Sequence, residues 1–229
     1  MRSISFSLLV FVFLLGGCVA PEMSLNSRLR AALGPVDGVV LIPQSGLDVT
    51  VTQIDGGTGG VLGVLVAAAI DEMRQTAAQR SAAPILQALR TYDFRRVMLA
   101  ALADDLGRVH RLRLRAPWTL SIVDSESHRR GLFDASSASA VLFCRVNYRL
   151  ESGNLLVTAI AEMFPKATDL AGFRPRPNDA NPIAEGNALY RKTFTFTAQN
   201  VIAETVAGAL TEGAGNIAFQ VLSDLDRDF

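Results

Sequence analysis

The chain has 229 residues, and its 22 lysines and arginines balance 22 aspartates and glutamates, so its formal net charge is zero. This balance gives no overall positive field to recruit nucleic acid. Hydrophobic residues make up 49% of the chain, which is enough for one globular domain with a sizeable core.

The first eighteen residues have the pattern of a bacterial export signal. Arg2 supplies the positive start, and residues 7–15 form an apolar run. Such a run suits a signal peptide, whose apolar part has roughly 7–15 residues, whereas a membrane span needs about 20. Two small residues, Gly16 and Gly17, then lead directly into Cys18.

The order of charge, apolar run, Leu15, two small residues and Cys18 resembles the lipobox of bacterial lipoprotein precursors. The resemblance covers residues 1–18 only. It implies that Cys18 receives a diacylglycerol in thioether linkage, becomes the N-terminus after cleavage and is then N-acylated. Each buried CH₂ contributes roughly 0.8 kcal/mol, so two or three acyl chains hold a domain without a spanning helix. An uncleaved apolar N-terminus with an incidental cysteine is the alternative.

The resemblance also predicts location and domain organisation. Val19, not an aspartate, follows Cys18, which favours the outer membrane with the domain facing the periplasm. We therefore predict a signal peptide at residues 1–17, a lipidated N-terminus and tether at 18–35, and a single domain at 36–229. Loss of the signal peptide removes one base and no acid, so the net charge becomes about −1.

Hydrophobic periodicity predicts the elements of the first half of the chain in order. They are a short helix at 24–33, strands at 38–43 and 47–54, and helices at 60–80, 82–91 and 94–106. The last of these helices has Asp93 as its N-cap and Gly107 as its stop. The first half of the 60–80 helix is apolar on all sides, which indicates burial or contact with lipid or a partner.

The second half of the chain is richer in strands. After alternation at 108–115, the pattern predicts a strand at 118–123, a polar loop at 124–137, paired strands at 138–150 and 155–164, an irregular stretch at 165–188, a strand at 190–197 and a helix at 200–225. Because strands and helices do not alternate regularly, the order favours an α+β fold. We expect a mostly antiparallel sheet with helices packed on one face.

No residue pattern indicates catalysis, a metal or a cofactor other than the lipid on Cys18. His110 and His128 lack the spacing of metal ligands, and no nucleophile motif is present. Once Cys18 is acylated, Cys144 is a lone cysteine. By strand alternation it shares a face with apolar residues, so we predict a small buried core residue.

A glycine-rich run opens the 60–80 helix with four glycines at packing spacing, Gly56, Gly59, Gly60 and Gly63. It lacks the lysine of a phosphate-binding loop. It forms either a turn that feeds a core helix or a close-packing surface for self-association or for a membrane-embedded partner.

One region is biased in charge, and it contains six arginines: Arg108, Arg111, Arg113, Arg115, Arg129 and Arg130. They form either a solvated face or a surface for anionic head groups, an acidic envelope polymer or a partner protein. The 165–188 stretch is a second candidate, as a rigid docking segment or a disordered loop.

These features predict a non-enzymatic, lipid-anchored periplasmic protein that acts by protein interaction, as an accessory or assembly factor of the envelope. The alternative is a module that binds lipid or a small ligand in an apolar pocket of roughly 300 Å³ or more. An envelope hydrolase is the third hypothesis, and it requires convergent Ser, His and Asp side chains.

Overall fold

The computed structural model of the protein describes residues 21–50, 82–176 and 180–227, which form a single-sheet α+β domain. The strands are β1 (Val36–Leu41), β2 (Asp48–Thr50), β3 (Leu114–Ser121), β4 (Ala140–Glu151), β5 (Asn154–Pro165) and β6 (Tyr190–Ala198). The α-helices are α1 (Ser27–Ala32), α2 (Phe94–Leu106), α3 (Glu126–Ala135) and α4 (Val206–Asp226). Residues 82–88 are also helical, and 3₁₀ helices cover Thr168–Phe173 and Glu185–Asn187.

The strand order is β3-β1-β4-β5-β6, and β2 pairs with the far end of β4. The long pairings, β4 with β5 and β5 with β6, are antiparallel, whereas β1 lies parallel to both β3 and β4. The sheet is therefore mixed and mostly antiparallel, which confirms the predicted α+β fold class. Helices were expected on one face only, but α3 packs on the face opposite α2 and α4.

The β4–β5 hairpin turns through two residues of positive φ, Ser152 at 49° and Gly153 at 80°. This is the conformation of a type I′ turn, whose twist matches that of the flanking strands. The predicted turn at 151–154 is confirmed. Residues on the two strands pair in register from Ala140 opposite Pro165 to Glu151 opposite Asn154.

The main core lies between one face of the sheet and the helices α2 and α4. Alternate residues of β4 point into it, among them Cys144, Val146 and Tyr148. Cys144 is fully buried and unpaired, as predicted. The 94–106 helix is confirmed with its bounds, and the Asp93 side chain accepts a hydrogen bond from the Arg96 amide.

Two buried side chains on this face, the Cys144 thiol and the Tyr190 phenol, make the stability of the fold sensitive to alkaline pH. Burial raises the pKa of the Cys144 thiol to about 12. Burial and the neighbouring Asp224 carboxylate raise the pKa of the Tyr190 phenol above its usual range. Because the ordinary pKa values of these groups are 9.0 and 10.0, the unfolded chain releases protons that the folded chain retains.

The free energy of unfolding is therefore expected to hold its value below about pH 9 and to fall above it. Each group contributes a slope of up to about 1.4 kcal/mol per pH unit. Urea unfolding between pH 7 and 11 measures this slope, and Cys144→Ala removes the share of one group. An alkaline slope that is the same in Cys144→Ala as in the parent would show that the thiol does not contribute.

The opposite face of the sheet carries a smaller apolar cluster around Phe143 and Phe164, covered by α3 and the segment 183–188. The predicted polar loop at 124–137 is wrong here, because residues 126–135 are helical. The Ser125 hydroxyl accepts a hydrogen bond from the His128 amide and caps the helix. Phe133 is buried in the cluster. Its burial packs this mostly polar helix against the sheet.

The residues expected to form part of the tether, 21–35, are packed against the domain. Met23 exchanges two backbone hydrogen bonds with Arg191 at the outer side of β6, with N···O distances of 2.8 and 2.9 Å. Leu25 is fully buried, and the Asn26 side chain caps α1. The Arg30 guanidinium donates to the Leu225 carbonyl at the end of α4.

Several predicted features lie outside the described residues. They are the signal peptide and Cys18, the 60–80 helix, and the four glycines Gly56, Gly59, Gly60 and Gly63. Within the described part of the chain, no helix is both long enough and apolar enough to cross a bilayer.

Candidate interaction surfaces

The first surface is the edge formed by β3, at one side of the described sheet. Arg115 and Thr119 are exposed on this strand, and Arg113 is exposed just before it. An apolar pair, Ile122 and Val123, directly follows the strand, and these residues are 57% and 44% exposed. We refer to residues 113–123 as the β3 edge. It combines arginines at one end with exposed apolar side chains at the other.

Pro117 interrupts the backbone of the β3 edge. The register with β1 shifts between the pairs Asp37–Arg115 and Val39–Thr119, so β3 bulges around the proline. Proline offers no backbone N–H, and bulged edge strands resist pairing with a further strand. Backbone pairing of a further strand with this edge is therefore disfavoured.

The six predicted arginines do not form one patch. Arg108 pairs with Asp105 at 3.0 Å at the end of α2, and the Arg111 amide donates to Asp226 at the end of α4. Arg115 lies 3.6 Å from Asp37 and donates to the Ser137 hydroxyl at 3.0 Å. Arg113 and Arg115 thus belong to the β3 edge, while Arg108 and Arg111 lie over the C-terminal ends of two helices.

Arg129 and Arg130 are placed on α3 instead. Arg130 pairs with Asp134 one turn further along this helix, at 2.8 Å. Arg129 is mostly buried and lies 3.5 Å from Asp124 and 3.8 Å from Glu162. It belongs to a chain of alternating charges that runs through Arg145, Asp124, Arg129, Glu162, Arg191 and Glu185. This network joins α3 to three strands, so Arg129 has a structural role.

A second buried charge cluster sits at the end of α4. The Asp224 carboxylate accepts hydrogen bonds from the Tyr190 hydroxyl at 2.9 Å and from the Lys192 ammonium at 2.7 Å. Asp224 is only 5% exposed. Burial also lowers the pKa of the nearby Arg30, against the opposing effect of Asp224 and Asp226. The cluster joins β6, α4 and the N-terminal segment.

One histidine lies close to a serine hydroxyl. His128 Nε2 lies 2.9 Å from the Ser121 hydroxyl oxygen. The same hydroxyl accepts a hydrogen bond from the Val123 amide at 3.1 Å and donates one to the Val123 carbonyl at 2.8 Å. Ser121 is buried, and among the described residues no carboxylate is hydrogen-bonded to His128. His110 is exposed, and its amide donates to Asp226. The Ser121–His128 contact fastens the end of β3 to the first turn of α3.

An open groove of about 260 Å³ lies between the C-terminal ends of α2 and α4. Phe219, Leu222 and Val109 give it an apolar floor, and charged side chains rim it, including Arg108, Asp226 and Arg227. No group of three or more histidines, cysteines, aspartates or glutamates in the described part of the chain is placed to hold a metal ion.

Sequence reasoning found some of these features and missed others. Alternation placed Cys144 on an apolar face of its strand, and the charge network lies on the opposite face of the sheet. It did not single out Ile122 and Val123, because an apolar end of a strand is normally buried. It also missed the Ser121–His128 contact, since Ser121 belongs to a strand and His128 to a segment predicted as a loop.

Comparison with known proteins gives little further information. No protein-family model matches the chain, and no curated protein matches it at a significant level. A solved structure of an uncharacterized protein has 10% identity and a TM-score of 0.34, covering 82% of this chain and 91% of its own. A dodecameric PelC variant from Paraburkholderia phytofirmans has 12% identity and a TM-score of 0.33, covering 90% of this chain and 94% of its own. At these values the similarity supports no functional conclusion.

Proposed function

We propose that this chain is a lipid-anchored periplasmic protein of the outer membrane that acts by binding a protein partner, as an accessory or assembly factor of the cell envelope. The observation that carries the proposal is the lipobox pattern that ends at Cys18. The lipid supplies attachment to the membrane, and the folded domain supplies the binding surface. The proposal includes no catalytic step.

The β3 edge is the surface that best fits a protein partner. Single exposed apolar residues are common on protein surfaces, whereas the β3 edge carries two in succession at one end and arginines, a residue type enriched at interfaces, at the other. Ile122 and Val123 would enter a pocket of the partner, and Arg113 and Arg115 would contact its acidic rim. Arginine suits this role because its guanidinium forms paired hydrogen bonds with carboxylates.

Two isoleucines of similar exposure provide a matched test of this surface. Ile122 on the β3 edge is 57% exposed, and Ile202, in the connection between β6 and α4, is 54% exposed. The lipidated chain, at native expression, is crosslinked in intact envelopes and recovered by affinity tag. We expect Ile122→Glu to lose the crosslinked partner and Ile202→Glu to keep it, with unchanged melting temperatures for both variants.

Two results would count against the proposal. Recovery of nothing but the chain itself from the parent strain would contradict binding of a different protein. Equal loss of the partner in Ile122→Glu and Ile202→Glu would show that the β3 edge is not the binding surface.

A further inference from the structure

The anchor and the packed N-terminal segment together restrict how the domain lies on the membrane. We infer that the side of the domain that carries β6 faces the phospholipid head groups and that the β3 edge faces away from them. This inference rests on the proposed function, because it requires an acylated Cys18.

The distance between the anchor and the domain is limited because the chain is fixed to the domain at Met23. The two backbone hydrogen bonds to Arg191 hold Met23 at the outer side of β6. Leu25 and Leu29, which follow it, are buried in the main core. Five residue steps separate Cys18 from Met23, so their Cα atoms lie at most about 18 Å apart.

The sheet is wider than this reach. Met23 lies outside β6, and the strand order places β3 five strand spacings away from it, or about 24 Å at 4.8 Å per spacing. An orientation with β3 on the membrane would lift Met23 about 24 Å above the surface that holds the acyl chains. The tether is shorter than that distance, which disfavours this orientation.

The side of the domain that carries β6 also has side chains suited to a head-group layer. Thr193 and Thr195 are exposed on β6, and Ser24 is exposed beside Met23. Arg28 on α1 is exposed, and its guanidinium lies 5.8 Å from the centre of the Phe173 ring. An arginine supported by an aromatic ring fits a phosphate at the membrane surface.

A pair of threonines on opposite edge strands provides the test. Thr195→Cys on β6 and Thr119→Cys on β3 each add one exposed thiol. The native Cys144 thiol is fully buried and its pKa is raised to about 12, so it does not compete for the label. The full lipidated chain, labelled with a fluorophore, is reconstituted in vesicles of phosphatidylethanolamine and phosphatidylglycerol that contain a lipid with a head-group quencher.

We expect quenching to be several times stronger for the label at Thr195→Cys than for the label at Thr119→Cys. Equal quenching at both positions, or stronger quenching at Thr119→Cys, would overturn the orientation. Mass spectrometry of the same samples separates the two proposals. An acylated Cys18 with the wrong quenching pattern rejects the orientation alone, whereas an unmodified Cys18 rejects the anchor and the orientation with it.

Discussion

Asp224→Ala is expected to lower the free energy of unfolding by about 3–5 kcal/mol, the range for breaking a buried ion pair from one side. The substitution removes the acceptor for both the Tyr190 hydroxyl and the Lys192 ammonium, and Lys192 is largely buried. An acid in the last turn of a helix is unfavourable toward the helix dipole, so the stabilising effect of Asp224 comes from these contacts. Urea unfolding at pH 7 measures the loss.

A double variant separates loss of charge pairing from loss of packing. In Asp224→Ala with Lys192→Met, the Lys192 cation is removed together with its hydrogen-bond acceptor, so part of the stability should return. Failure of the double variant to recover any stability would assign the effect to packing. A loss below about 1 kcal/mol in the single variant would contradict the buried pairing itself, because that is the range of an exposed pair.

Gly38→Ala is expected to cost about 1–3 kcal/mol, which is the usual effect of overpacking a close-packed core. A Cβ on Gly38 in β1 would lie 2.4–2.8 Å from three carbon atoms of the Trp118 ring. Trp118 is buried on β3, so the ring has little room to move. It is the only tryptophan in the chain, and its fluorescence reports both unfolding and any displacement of the ring.

Gly131→Ala is the matched control for Gly38→Ala. A Cβ on Gly131 in α3 meets nothing within 4 Å. Alanine favours the helix over glycine, so this variant is expected to gain about 0.5–1 kcal/mol. Equal stability of the Gly38→Ala and Gly131→Ala variants would contradict the close approach of Trp118 to β1.

Local patterns in the sequence predict much of the fold. Asp93 and Gly107 define the limits of α2, because capping and stop signals act within a few residues. Alternation and the turn residues predict the β4–β5 hairpin, and the same alternation places Cys144 in the core. In each of these cases the decisive interactions lie close together in the sequence.

Other features depend on contacts between distant segments. β1 pairs in parallel with both β3 and β4. The periodicity within one segment does not predict which strands pair with each other. The sequence predicted a polar loop that includes residues 126–135, because the apolar residues that bury Phe133 lie in other segments of the chain. The packed state of residues 21–33 likewise depends on β6 and α4, which come more than 150 residues later. The sequence groups Arg113 and Arg115 of the β3 edge with Arg129 in one charge-biased region, and it does not predict that Arg129 lies apart from them in the fold.

The proposed mode of action depends on three features: the lipid anchor, the packed N-terminal segment and the β3 edge. We propose that a short tether leaves β6 near the membrane and turns the β3 edge toward the periplasm, because Met23 pairs with β6 and β3 lies at the other side of the described sheet. In this account the lipid fixes the orientation of the domain as well as its location. The binding surface is thereby presented to a partner at a defined height above the membrane.

The measurement that tests this account most directly is mass spectrometry of the mature N-terminus. The account predicts that the protein isolated from the envelope begins at Cys18 and carries a diacylglyceryl group and an amide-linked acyl chain on that residue. An unmodified Cys18, or cleavage at another residue, would contradict it.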